Sequence, residues 1–164
     1  MHLTIPVMPK LSALIYTKND AQRIGRLLDS LRPCNEVVVI DDNSEDDTAK
    51  IAQEHGAIVK KCIPGVTPGA YTMEAQNCWI LCVKPGEALS EALEASLLEW
   101  RDNKEDENPG YNLRLRVQEN GAWKELAPET RLVNRNKINW TGDLPPTSSV
   151  FDQLDGDLLR FSSP

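Results

Sequence analysis

Val37-Val38-Val39-Ile40 leaves this chain the least choice of fold. An unbroken run of β-branched residues, unlike an alternating one, reads as a strand covered on both faces. The run stops at Asp41-Asp42-Asn43, where polar residues return the chain to solvent. Helices must therefore supply the cover, which is the arrangement of a parallel α/β sheet with right-handed crossovers.

Neighbouring segments agree. Leu11 to Tyr16 is a second apolar run, halted by Thr17-Lys18-Asn19-Asp20, and Ile24, Leu27, Leu28 and Leu31 then recur at helical spacing until Pro33. After the first acids, Ser44 and Asp47 have capping-box spacing, Gly56 is placed to close the helix, and Thr48, Ile51 and Ala52 form its inward face. Ala57 to Cys62 reads as a third strand, Ile63 to Thr72 as a Pro/Gly-rich loop and Trp79 to Val83 as a fourth strand. Lys84-Pro85-Gly86-Glu87 turns the chain, and Ser90 caps a helix to about Arg101 with Leu93, Leu97 and Trp100 on one face.

The pattern changes after the charged run Asp102 to Glu107. Tyr111 to Gln118 alternates apolar and polar residues, and Asn120-Gly121 turns it into Ala122 to Leu126, an antiparallel hairpin. Arg131-Leu132-Val133 reads as one more short strand, and residues 143–164 as a loose, acidic, proline-bounded tail. The whole is expected to be one domain: a leader over 1–10, an α/β half over 11–101, an antiparallel half over 111–142, and the tail. An exposed edge of the hairpin would permit a homodimer.

Charge and composition narrow the function. A formal charge of -7 over 164 residues makes nucleic acid and anionic membrane surfaces poor partners. No apolar run approaches the ~20 residues of a spanning helix, and Pro6 and Pro9 interrupt any signal-peptide core, so a cytoplasmic protein is expected. Cys34, Cys62, Cys78 and Cys82 lack zinc or redox spacing and read as small buried apolar residues. Neither His2 nor His55 is placed as a catalytic base. Glycine-rich phosphate cradles are absent, which demotes dinucleotide and P-loop chemistry.

Ligands of open parallel sheets bind beyond the carboxyl ends of the strands. The turns there are Thr17 to Asp20, Asp41 to Ser44 and Lys84 to Glu87. An ionised Asp is an acceptor-only group, suited to a nucleobase imide or a ribose hydroxyl. The plainer alternative is that Asp41 and Asp42 are solvated acids ahead of a helix and Ser44 only a cap.

These residues resemble glycosyltransferase family 2, with the GT-A fold, and most of all its lipopolysaccharide-core-type members. Leu11 to Asp20 with Ile24 is similar to the family's first strand and its T-K-N-E turn. Glu36 to Ser44 with Asp46 and Thr48 is similar to its second strand and D-x-x-S-x-D-x-T turn. Trp79-Ile80-Leu81 through Glu87, Leu89 and Ser90 looks like the D-x-D block, and Arg131-Leu132 through Trp140 and Gly142 looks like the R-L to W-x-G segment. The resemblance implies a GT-A-like α/β sandwich, mainly parallel with a C-terminal antiparallel hairpin. It implies UDP or a UDP-sugar as ligand, held by Thr17, Asn19 and Asp41, with Asp42 and Ser44 next in rank.

Three departures fall on the chemistry. Family members hold Mg²⁺ or Mn²⁺ on the D-x-D carboxylates, and here Lys84 and Gly86 stand in their place, so no metal and no cofactor is expected. A His-Glu pair usual after W-x-G is replaced by Gly142-Asp143-Leu144-Pro145-Pro146, and the loop between the third and fourth strands is short. Two outcomes follow: a chain with impaired or lost transfer that serves as a regulatory or scaffold module, or a metal-independent transferase. In the second, the Lys84 ammonium binds phosphate and Glu87 is the only base near the motif. Lys84 as a solvated turn lysine is the simpler reading. Trp79, Trp100 and Trp140 read as core, and Trp123 as exposed.

Overall fold

Leu11–Thr17 (β1), Glu36–Asp41 (β2), Ile58–Lys61 (β3) and Trp79–Val83 (β4) pair in parallel, with β1 between β2 and β4. The computed structural model of the chain describes residues 9–102 and 106–163. Most of the leader, His2 among it, and part of the charged run after Asp102 lie outside the described residues.

The unbroken apolar runs have the double cover they require. One face of β1, β2 and β4 presents Ala13, Ile15, Val39 and Leu81 to the helices Ile24–Ser30 (α1), Thr48–Glu54 (α2) and Glu91–Arg101 (α3). The other presents Leu14, Val38, Ile40, Ile80 and Cys82 to a 3-10 segment, Pro68–Glu74, and to residues 138–144. α1 buries Ile24, Leu27 and Leu28, α2 buries Thr48 and Ala52, and α3 buries Leu93, Leu97 and Trp100. Ser90 caps α3, its hydroxyl accepting from Leu93 N at 3.1 Å. Gly56, at φ +84°, ends α2 in the left-handed conformation that costs glycine least.

The capping box at Ser44 does not form. α2 begins only at Thr48, too late for Ser44 to cap, and its hydroxyl bonds Asp41 instead. Asp46 takes the cap's place by accepting from Thr48 N at 3.0 Å.

Gly110–Glu119 (β6) and Ala122–Asn134 (β7) form the expected hairpin, but Arg131-Leu132-Val133 is the end of β7 rather than a separate strand. Through Leu132–Asn134, β7 joins β4 antiparallel and so fuses the two parts of the sheet. Two strands were not anticipated. Glu87–Leu89 (β5) follows the Lys84 turn, and Gln153–Arg160 (β8) lies between β6 and β5.

β8 corrects the reading of residues 143–164 as loose. Its Leu158 is fully buried, Gly156 presses its backbone against Leu93, and Asp157 pairs with Arg114. The sheet order is β3-β2-β1-β4-β7-β6-β8-β5. One edge of the hairpin, that of β6, is therefore taken by β8 of the same chain. Nor are all four cysteines buried: Cys78 is exposed and Cys34 and Cys62 are half-buried, whereas burial pushes the Cys82 thiol up to about 12.

Candidate functional site

Strand order reverses at β1, with β2 and β3 on one side and β4 on the other. Such a switch point splays the connections apart and opens a crevice at the strand ends. A cleft of about 240 Å³ lies there, floored by Leu14, Ile40 and Cys82 and walled by Tyr16, Lys84 and Trp140.

Two of the turns are stitched together by side chains. Asn19 holds a left-handed backbone, φ +53°, which Asn tolerates better than most residues. Its N–H donates to Ser44 Oγ at 2.9 Å, and its Oδ1 accepts from Glu45 N at 2.8 Å. Ser44 in turn donates to Asp41 Oδ1. Asp20 N donates to Thr48 Oγ1 at 2.9 Å, and Ala21 N to Asp46 Oδ2 at 3.1 Å. Asn19, Asp41 and Ser44 thus form one hydrogen-bonded unit. Thr17 is buried and its hydroxyl donates to Asp20 Oδ2 at 2.7 Å, so it braces the first turn. Asp42 stands half-buried beside Tyr16; Cys62, burial and then Asp42 all push the Tyr16 hydroxyl up.

The third turn is built otherwise. Lys84 reaches along the cleft to pair with Asp143 at 2.5 Å, which replaces the expectation of a lysine facing only solvent. Its backbone N–H donates to Glu87 Oε1 at 2.8 Å. Glu87 itself is turned inward: it is 1% exposed and grips the fully buried Arg131 through two contacts of 2.9 Å, with Arg160 at 3.1 Å. Burial alone would lower Arg131, and the Glu87 carboxylate outweighs it. Glu87 is a positioning residue for the turn, not a base facing the cleft. Both of its oxygens are engaged by guanidiniums, and neither lines the cleft.

Arg23, Trp140 and Asp143 also line the cleft and were not singled out as ligand contacts. Arg23 follows Asp20 at a spacing that signals only a local ion pair. Trp140 is half-buried, lying on the backbone of Gly69, where a Cβ would stand 2.3 Å from the Trp140 carbonyl oxygen. Trp79 and Trp100 are core as expected, and Trp123 is 42% exposed.

The donor set does not suit a divalent cation. Mg²⁺ and Mn²⁺ take oxygen ligands, and the Lys84-Pro85-Gly86 turn offers an ammonium and a glycine. Among the described residues no group of three His, Cys, Asp or Glu side chains is disposed to hold a metal. No helix among them is long and apolar enough to cross a membrane.

Residues 12–63 match the sequence profile of Glycosyl transferase family 2. An uncharacterized glycosyltransferase of Rickettsia felis is 32% identical over 151 residues, covering 86% of this chain and 53% of the relative. Another, from Rickettsia typhi, is 32% identical over 164 residues, 93% of this chain and 56% of the relative. The chain thus spans about half the length of the curated relatives it matches. A crystal structure of S. aureus TarS 1–349 superposes with a TM-score of 0.56 at 19% identity, over 92% of this chain and 57% of that one. The crystal structure of a mycobacterial protein gives 0.54 at 13% identity, over 93% of this chain and 65% of that one. The fold is GT-A.

Proposed function

Because this chain is a relative of the family 2 glycosyltransferases, we propose that its cleft binds a uridine nucleotide, UDP or a UDP-sugar, without a divalent cation, and that metal-dependent glycosyl transfer is impaired or lost. Residues 11–101 make up the nucleotide side in this reading and residues 111–142 the acceptor side. The observation that supports it is that Lys84 lines the cleft and pairs there with Asp143, on the turn that by sequence resemblance corresponds to the family's metal-binding acids.

Asp41 is the acceptor for the uracil imide or a ribose hydroxyl, because it closes β2 at the switch point and is oriented by the Ser44 hydroxyl. Thr17, Asn19 and Ser44 hold the two turns at a fixed separation. Asp42 stands beside Tyr16, a wall of the cleft, and neither it nor Asp41 is part of the lining itself. The apolar floor and the Trp140 ring supply the surface that a base or ribose would cover.

Lys84 supports a second reading, metal-independent glycosyl transfer, in which its ammonium offsets the charge that develops on the leaving diphosphate. Glu87, the base that reading would use, is turned from the cleft toward Arg131. The acceptor, the sugar and the activity of the full-length relatives belong to sequence about twice this long. Self-association through the hairpin is confined to the outer edge of β7 before Thr130, since β8 fills the edge of β6.

Calorimetric titration with UDP, in EDTA and separately in Mn²⁺, tests the proposal. Binding that is indifferent to metal and weakened by roughly tenfold in Asp41→Ala is the expected result. A requirement for Mn²⁺ would overturn the metal-free reading, and the absence of binding to a folded protein would leave a non-catalytic scaffold.

A further inference from the structure

We infer that the phosphate end of the cleft is a two-cation site, Arg23 with Lys84, held shut by Asp143, which a nucleoside diphosphate displaces. The inference rests on the nucleotide reading above and names the residues that would take the charge.

Arg23 enters from the β1–α1 turn and Lys84 from the end of β4, and both line the same cleft. A Cβ on Gly86 would lie 3.6 Å from Arg23 Nη1, so the guanidinium rests against the Lys84-Pro85-Gly86 turn. A planar guanidinium and a mobile ammonium side by side suit the two phosphates of a diphosphate, the first by paired hydrogen bonds and the second as a point charge.

Each cation has one carboxylate, and the two carboxylates differ in how firmly they are held. Asp20, paired with Arg23, is 7% exposed and also accepts from Thr17 Oγ1 at 2.7 Å and Lys18 N at 3.1 Å. Asp143, paired with Lys84, is 57% exposed and sits on a connecting segment. Asp20 stays in any bound state, and Asp143 is the group that leaves. With both carboxylates in place the four groups sum to zero, two positive and two negative; removal of Asp143 leaves one positive charge facing the ligand.

Size argues the same way. At about 240 Å³ the cleft is smaller than the roughly 300–1,000 Å³ of ordinary small-molecule pockets, and outward movement of residues 142–144, with Trp140 left in place, would enlarge it for a nucleotide. Little holds them. Gly69 N donates to Gly142 O at 2.9 Å, Trp140 lies on Gly69, and Lys84 holds Asp143. An exposed ion pair of this kind is worth no more than about fivefold in an equilibrium. The contact closes the cleft and yields to a diphosphate, which offers the two cations more than one negative charge.

The test is titration of the full chain, in EDTA, with UDP, uridine and inorganic pyrophosphate, for the parent and for Asp143→Asn, Arg23→Gln and Lys84→Gln, with thermal melts to verify folding. Asp143→Asn should bind UDP and pyrophosphate about three- to fivefold more tightly, with uridine unchanged. Arg23→Gln and Lys84→Gln should each weaken UDP and pyrophosphate by on the order of tenfold, again sparing uridine. UDP binding that ignores Asp143→Asn and Arg23→Gln overturns the inference while the nucleotide reading stands. Pyrophosphate binding with this pattern, but no added affinity from the nucleoside, keeps the two-cation site and overturns the nucleotide reading. No binding of any of the three overturns both.

Discussion

Val39 on β2 and Arg131 on β7 are equally inaccessible to water, yet they hold their parts of the sheet by different means. Around Val39 the parallel strands β3, β2, β1 and β4 carry apolar runs pressed between helices and the 3-10 segment, and their side chains stabilise the sheet chiefly by apolar burial. Around Arg131 the strands β7, β6, β8 and β5 converge on a charged cluster, with Glu87 between Arg131 and Arg160 and with Glu129 at 3.4 Å from Arg131. An apolar contact tolerates small changes of partner. A buried ion pair does not, because removing one member strands the other out of water.

The largest effect should therefore come from Glu87→Ala, which leaves the Arg131 guanidinium uncompensated and should cost about 3–5 kcal/mol in urea unfolding. The Glu87→Leu/Arg131→Met double variant should recover most of that loss, and a double variant as unstable as the single one would break the contrast. Gly156→Ala comes next. At φ +99°, with a Cβ 2.2 Å from Leu93 N, it forces β8 from α3 and should cost about 1–3 kcal/mol. Ile40→Val in the parallel part should cost only about 0.5–1.5 kcal/mol, since a buried methyl is lost and nothing is left unpaired.

The smallest effect is on acidification. Burial alone would raise Asp106, but hydrogen bonds from Tyr111, Asn108 and Trp100 outweigh it and hold its carboxyl below the usual range. A carboxyl lowered on folding contributes stability above its unfolded pKa and loses it as pH falls through the lowered value. Unfolding midpoints measured down the acid range should show a loss in the parent that Asp106→Asn lacks.

What the sequence made legible follows the same division. Val37 to Ile40, the helical spacing of Ile24, Leu27 and Leu28, Ser90 as a cap and Gly56 as a stop are local signals, and each survives in the structure. β8 has no such signal. Gln153-Leu154-Asp155-Gly156-Asp157 reads as a polar connection, because its acids and glycine make sense only against Arg114 and the backbone of Leu93, residues far away in sequence. Among the candidate site residues, Asn19, Asp41 and Ser44 were legible as neighbours since they lie where adjacent strands give way to their turns, while their mutual hydrogen bonds were not. The inward turn of Glu87 was not legible, because nothing local to residue 87 announces Arg131. Arg23, Trp140 and Asp143 come together only through the order of the strands.

The placement of β8 also dictates an order of assembly. β5 has no sheet neighbour except β8, and Glu87 meets Arg160 across 73 positions of chain. Closing a loop of that length costs about 4 kcal/mol of chain entropy before any contact compensates it. During synthesis the parallel strands can pair while β6 still shows a bare edge and Glu87 and Arg131 lack their third member. The interval before β8 arrives is when this chain is most open to wrong pairing, and its folding rate should follow the capture of that one strand.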